Sequence, residues 1–186
     1  MNECNMFDVL EQVIEDKFRL TNPGSQLKLS EEQNEKDPKG KGLEVTFRNT
    51  GKCFAFSLDV PGEDPFPIFK PSPGIKQKND AIIYFEKNQR KYCFIVELKS
   101  NKYVGAFPQL KCGRDFMDYL FTILEKNFKV SVKDVEFKYI IFTTNPPGGA
   151  RKTYSSKREK VPVQNRKGID FAITACNSTY SFDNFI

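Results

Sequence analysis

The chain has 186 residues, 39% of them hydrophobic and 28% charged, enough to bury one core of ordinary domain size beneath a well-solvated surface. It contains no histidine, which excludes Ser-His-Asp and Cys-His hydrolysis and histidine-ligated zinc, and leaves carboxylates, lysine, arginine, hydroxyls, thiols or an oxygen-held metal to carry any chemistry. The formal net charge is +5, and the five cysteines are odd in number, scattered and without a C-x-x-C pair, so neither a disulfide framework nor a zinc cluster is expected and a reducing cytoplasm suits the chain.

Met6 to Leu20 reads as an amphipathic helix, because Met6, Phe7, Val9, Leu10, Val13, Ile14 and Phe18 recur on one stripe. This segment mixes acids with apolar residues, so no secretory leader is expected, and no apolar stretch approaches the length of a membrane span. Residues 25–42 are polar and read as loop. Leu43 to Arg48 and Cys53 to Val60 read as two strands of a hairpin across Asn49-Thr50-Gly51. Five prolines between Pro61 and Pro73 predict a long irregular connector.

Ala81 to Glu86 and Tyr92 to Leu98 are apolar, strand-like runs separated by a polar turn. Pro108 to Phe128 is the clearest helix, with Pro108 suited to a first turn and Phe116, Met117, Leu120, Phe121 and Leu124 on its apolar face. Glu136 to Thr144 and Gly168 to Cys176 read as further strands. Between them, seven basic residues and one acid lie from Arg151 to Lys167, leaving the rest of the chain near −1. A basic tract on a near-neutral body suits contact with a polyanion, although it equally describes a solvated loop. The whole reads as a single 1–186 domain of α/β (α+β) class, a mixed sheet flanked by helices, with a basic loop at 146–168.

The two central strands carry the chemistry. If Asn88-Gln89 is a two-residue hairpin loop, Lys87 pairs with Arg90 and Asp80 lies opposite Glu97. If the turn falls one residue later, Asp80 faces Lys99 and Glu97 becomes its diagonal neighbour. In both registers Asp80, Glu97 and Lys99 share one face, because strand side chains alternate. Two carboxylates at the end of buried strands repel, and a divalent cation relieves that repulsion; hard oxygen ligands favour Mg2+ or Mn2+. The Leu98 carbonyl can add a ligand. Lys99 can orient or deprotonate a water, or steady charge on a phosphate. A plain hairpin end carrying a glutamate and a lysine remains the simpler alternative.

Asp80 followed by Glu97-x-Lys99 on consecutive strands resembles the PD-(D/E)XK phosphodiesterase superfamily, with its restriction-endonuclease-like fold. The likeness covers about two thirds of the chain, from Met6 to Thr144. It departs at Asn79, where the motif's proline would stand. The resemblance implies a Mg2+- or Mn2+-dependent endonuclease acting on DNA more readily than RNA, in phage defence, restriction or repair. Asp80 and Glu97 would be its metal ligands and Lys99 would stand beside the attacking water. It also implies a glutamate from the first helix, Glu11 in preference to Glu15, and a contact from Gln109 in the first turn of the second helix. Lys78, Lys102, Arg151, Lys152, Lys157 and Arg158 are the residues expected to hold the nucleic-acid backbone, with Tyr154, Ser155 and Ser156 interleaved. The small size implies targeting by a protein partner or a homodimer. The alternative is a catalytically inactive module of the same shape that binds nucleic acid or a protein.

Overall fold

The β-rich runs of the sequence gather around one central sheet. The computed structural model describes residues 5–21, 25–31, 42–48, 50–100, 103–147 and 159–186. Its architecture is α+β. Two helices, α1 (Met6–Val13) and α2 (Ala106–Phe128), pack on nine strands: β1 (Gln26–Glu31), β2 (Leu43–Arg48), β3 (Cys53–Phe56), β4 (Ala81–Lys87), β5 (Arg90–Lys99), β6 (Val135–Thr143), β7 (Val163–Arg166), β8 (Ile169–Ala175) and β9 (Ser178–Tyr180). The large sheet has the order β3-β4-β5-β6-β8-β7, and the small one β1-β2-β9. Strands β5, β6 and β8 are parallel, and α2 makes the crossover that a parallel β5–β6 pair requires. Among the described residues, no helix is long and apolar enough to cross a membrane.

Alternation along the central strands sorts the core into two layers. Ile82, Tyr84 and Cys93 face α1 and α2, meeting Phe7, Leu10, Met117, Phe121 and Leu124. Ile83, Phe85, Phe94 and Val96 face the other way, against Leu27, Leu29, Val45 and Phe47 of the small sheet and against Phe182 and Phe185. Phe182 lies 4.6 Å from Phe47 and 5.0 Å from Phe94, ring centre to ring centre, so aromatic residues tie the two sheets together. Both helices thus cover one face, and the second sheet covers the other.

Several expectations need correction. The first helix stops at Val13, and Ile14 and Glu15 are extended. Its continuation is drawn along the sheet edge: Arg19 bridges to Phe56, Leu20 N–H donates to the Ala55 carbonyl, and Ser57 N–H donates to the Phe18 carbonyl. Residues 26–31, read as loop, form β1, because Leu27 and Leu29 alternate onto the buried face. Residues 43–48 and 53–56 are strands, but not a hairpin: β2 pairs with β1 and β9, whereas β3 pairs with β4. Strands β2 and β3, consecutive in the chain, therefore belong to different sheets. Residues 163–166, placed in the basic loop by the sequence, form β7, which makes a hairpin with β8 across Lys167-Gly168.

The β4–β5 hairpin sets the register of the site. Its two-residue loop, Asn88-Gln89, has φ of 50° and 64°, the left-handed pair that a tight hairpin turn demands. Gln89 is exposed and adopts this conformation at a cost that glycine would not incur. Gln89→Gly is expected to raise stability by about 1 kcal/mol without moving the register, measured as a shift in the urea midpoint. A lowered midpoint would show that the turn is not strained.

Candidate active site

Lys87 pairs with Arg90 and Ala81 with Val96, the first of the two registers considered, so one more step places Asp80 opposite Glu97. The antiparallel ladder ends there because the main chain at Asn79 is diverted. In this register Asn79 would stand opposite Leu98. Its carbonyl instead accepts from Leu58 N–H at 3.1 Å, Asp59 N–H at 3.2 Å and the Ser57 hydroxyl at 3.3 Å. The Leu98 N–H left over is taken by the Asp80 side chain, whose Oδ2 accepts it at 2.6 Å. N–H and C=O of one strand residue face the same edge, so the Leu98 carbonyl also looks towards Asp80. The Lys99 carbonyl faces the opposite edge, where it accepts from Thr144 N–H.

Glu97 is wholly buried on the helix-covered face, in line with Cys93 and Ile95. Its two oxygens are separately bonded. Oε1 accepts from Asn79 Nδ2 at 2.8 Å, and Oε2 accepts from Lys99 Nζ at 2.7 Å. Burial, and then the charge of Asp80, hold the Glu97 carboxyl well above the usual carboxylate range, against the opposing pull of Lys99 and Asn79. Burial also pushes Asp80 up to about 6, although the Leu98 N–H and the Lys99 charge work the other way. Burial alone would lower Lys99, but Glu97 and Asp80 more than offset it and keep the ammonium protonated above its ordinary range. Two carboxyl groups and one ammonium therefore interact strongly at the end of β4 and β5.

Helix α2 supports this site from its first turns. Gln109 Nε2 donates to the Lys78 carbonyl at 2.9 Å, and Cys112 Sγ lies 3.0 Å from the Gln77 carbonyl. Gln109 thus points to the sheet end as expected, but it grips the main chain ahead of Asn79 and touches none of Asp80, Glu97 or Lys99. Lys78 is turned back into the connector, donating to the Glu63 carbonyl at 2.7 Å and pairing with Asp59 at 3.7 Å. Glu11 is exposed on α1, whose Phe7 packs on Tyr84 in the middle of β4. No described contact brings Glu11 to the site. Lys102, Arg151, Lys152, Tyr154, Ser155, Ser156, Lys157 and Arg158 lie outside the described residues.

Three residues join the site without having been singled out. Asn79 holds Glu97, and the charges of Glu31 and Asp59 reach Asp80. Glu31 follows Leu27 and Leu29 on the buried side of β1, so alternation aims it from the small sheet towards the open end of the large one. That alternation was the available signal. Among the described residues, no three carboxylate or thiol side chains converge to form an ion site by themselves. Mg2+ commonly takes only one or two carboxylates and completes its shell with water and phosphate. Asp80, Glu97 and the Leu98 carbonyl are hard oxygen donors, and the raised carboxyl groups are what an added dication would relieve. The donor set therefore fits such an ion. No family model, curated protein or solved structure matches the chain.

Proposed function

We propose that the protein is a Mg2+- or Mn2+-dependent nuclease that hydrolyses DNA phosphodiester bonds, in keeping with the PD-(D/E)XK resemblance of Asp80, Glu97 and Lys99. The observation that carries this reading is the gathering of a wholly buried carboxyl group, a half-buried one and an ammonium at the open end of β4 and β5. Asp80, Glu97 and the Leu98 carbonyl are the groups that would hold the ion. When bound, it supplies an activated water and polarises the phosphoryl oxygens. Lys99, protonated between two acids, donates to the water or to the phosphate and steadies the charge that develops as the P–O bond breaks. The positive tract from Arg151 to Lys167 supplies attraction for a polyanion.

One observation favours the inactive-module alternative: both Glu97 oxygens already have protein donors. That alternative expects salt-sensitive nucleic-acid binding and no uptake of Mn2+. Purified protein incubated with single- and double-stranded DNA, with Mg2+ or Mn2+ and with chelator, separates the two. Metal-dependent cleavage supports the nuclease. Intact DNA under all metal conditions, together with no calorimetric heat on Mn2+ addition, leaves the inactive module.

A further inference from the structure

We infer that Asn79 is a positioning residue that decides how Glu97 presents its carboxylate, and that Gly113 of α2 exists without a side chain to make room for it. What Glu97 is positioned for rests on the nuclease reading; that Asn79 positions it does not.

The segment 77–79 is immobilised from two sides. Helix α2 grips the carbonyls of Gln77 and Lys78 through Cys112 and Gln109, while residues 57–59 converge on the Asn79 carbonyl. The Asn79 side chain is fully buried and has one described use, the bond from Nδ2 to Glu97 Oε1. Its Oδ1 is buried with no hydrogen-bond partner among the described residues. An unpaired buried oxygen is unfavourable, and an apolar side chain of similar size would avoid it.

Directly above sits Gly113. A methyl group built on it would overlap Asn79 Oδ1 and come within 2.7 Å of Asn79 Cγ and 2.9 Å of Ile95 Cγ2. Glycine within a helix is less favourable than alanine, and no turn or kink calls for it here. Two locally unfavourable choices, on elements far apart in sequence, thus meet at a single hydrogen bond to Glu97. Local rules are broken in this way where a site demands it. With Oε1 held by Asn79, Oε2 is the oxygen left facing Lys99.

The test compares Asn79→Ala, Gly113→Ala and the double variant with the unaltered full chain, all without metal. Reductive methylation of Lys99 is followed by mass spectrometry, with Lys76 and Lys78 as internal references, alongside urea unfolding. Asn79→Ala should fold with reduced stability, because the buried Glu97 Oε1 loses its donor and a void opens beneath Gly113, and its Lys99 should label several-fold faster. Gly113→Ala should be less stable, and the double variant should recover stability while keeping the fast labelling. Asn79→Leu fills the same space without a donor and replaces Asn79→Ala if the smaller residue unfolds the chain. Lys99 labelling at the normal rate in a folded Asn79 variant would overturn the inference and leave Asn79 as packing. In a separate calorimetric arm, Mn2+ binding should weaken about tenfold or more in Asn79→Ala, the usual effect of removing a ligand's partner. Absence of Mn2+ binding by the unaltered protein counts against the nuclease reading, while the labelling arm still decides the role of Asn79.

Discussion

Glu97→Gln should lower metal-dependent DNA cleavage on the order of a thousandfold, about 4 kcal/mol of transition-state stabilisation. The substitution keeps the volume of a wholly buried side chain and leaves an oxygen for the Asn79 amide, so no cavity forms, while an amide nitrogen replaces the oxygen that accepted from Lys99. It removes the charge that Lys99 and a bound cation would both use. Lys99 tolerates that loss because its side chain is 20% exposed and can turn to water. Single-turnover cleavage of a labelled duplex, read beside circular dichroism, checks the expectation. Retention of more than a tenth of the normal rate in a folded Glu97→Gln protein would remove Glu97 from the chemistry.

The second large effect has the opposite sign on stability. Asp80 in the folded protein titrates near 6, against an ordinary value of 3.8. Between those values the folded state binds a proton that the unfolded state has lost, so metal-free stability falls as pH rises from about 4 to about 6. Glu97 acts in the same direction. Asp80→Asn removes the charge while its carbonyl oxygen can still accept the Leu98 N–H. It should therefore stabilise the metal-free protein at pH 7 by on the order of 2 kcal/mol, a gain that vanishes near pH 4. Mn2+ should stabilise the unaltered protein, by about 2.7 kcal/mol at a hundredfold excess over its dissociation constant, and leave Asp80→Asn unchanged. Urea unfolding across this pH range, with and without Mn2+, is the measurement. An Asp80→Asn protein less stable than the unaltered one at pH 7 would show that the site carries no repulsion for an ion to relieve.

A site that loses stability to keep two carboxyl groups together is the common signature of function opposed to folding. The same opposition marks Asn79 and Gly113, one with an unused buried oxygen and the other a glycine inside a helix. These residues carry the support of the site: Asn79 stands where the motif's proline would be, and Gly113 lies outside the motif altogether.

What could be read from the sequence alone was local. Turn length and strand alternation act over a few residues and narrowed the β4–β5 hairpin to two registers, both with Asp80, Glu97 and Lys99 on one face; the structure adopts the one that sets Asp80 opposite Glu97. Helix α2 was legible for the same reason: its apolar spacing is periodic over many turns. Only the tertiary structure decided that β2 and β3 belong to different sheets, that β1 exists, and that the first helix yields to edge pairing after Val13. It also decided that Asn79 holds Glu97, and that Glu31 looks in from the second sheet. Those outcomes depend on which distant surfaces bury one another, and burial between segments tens of residues apart leaves no period or spacing in the chain for a reader to find.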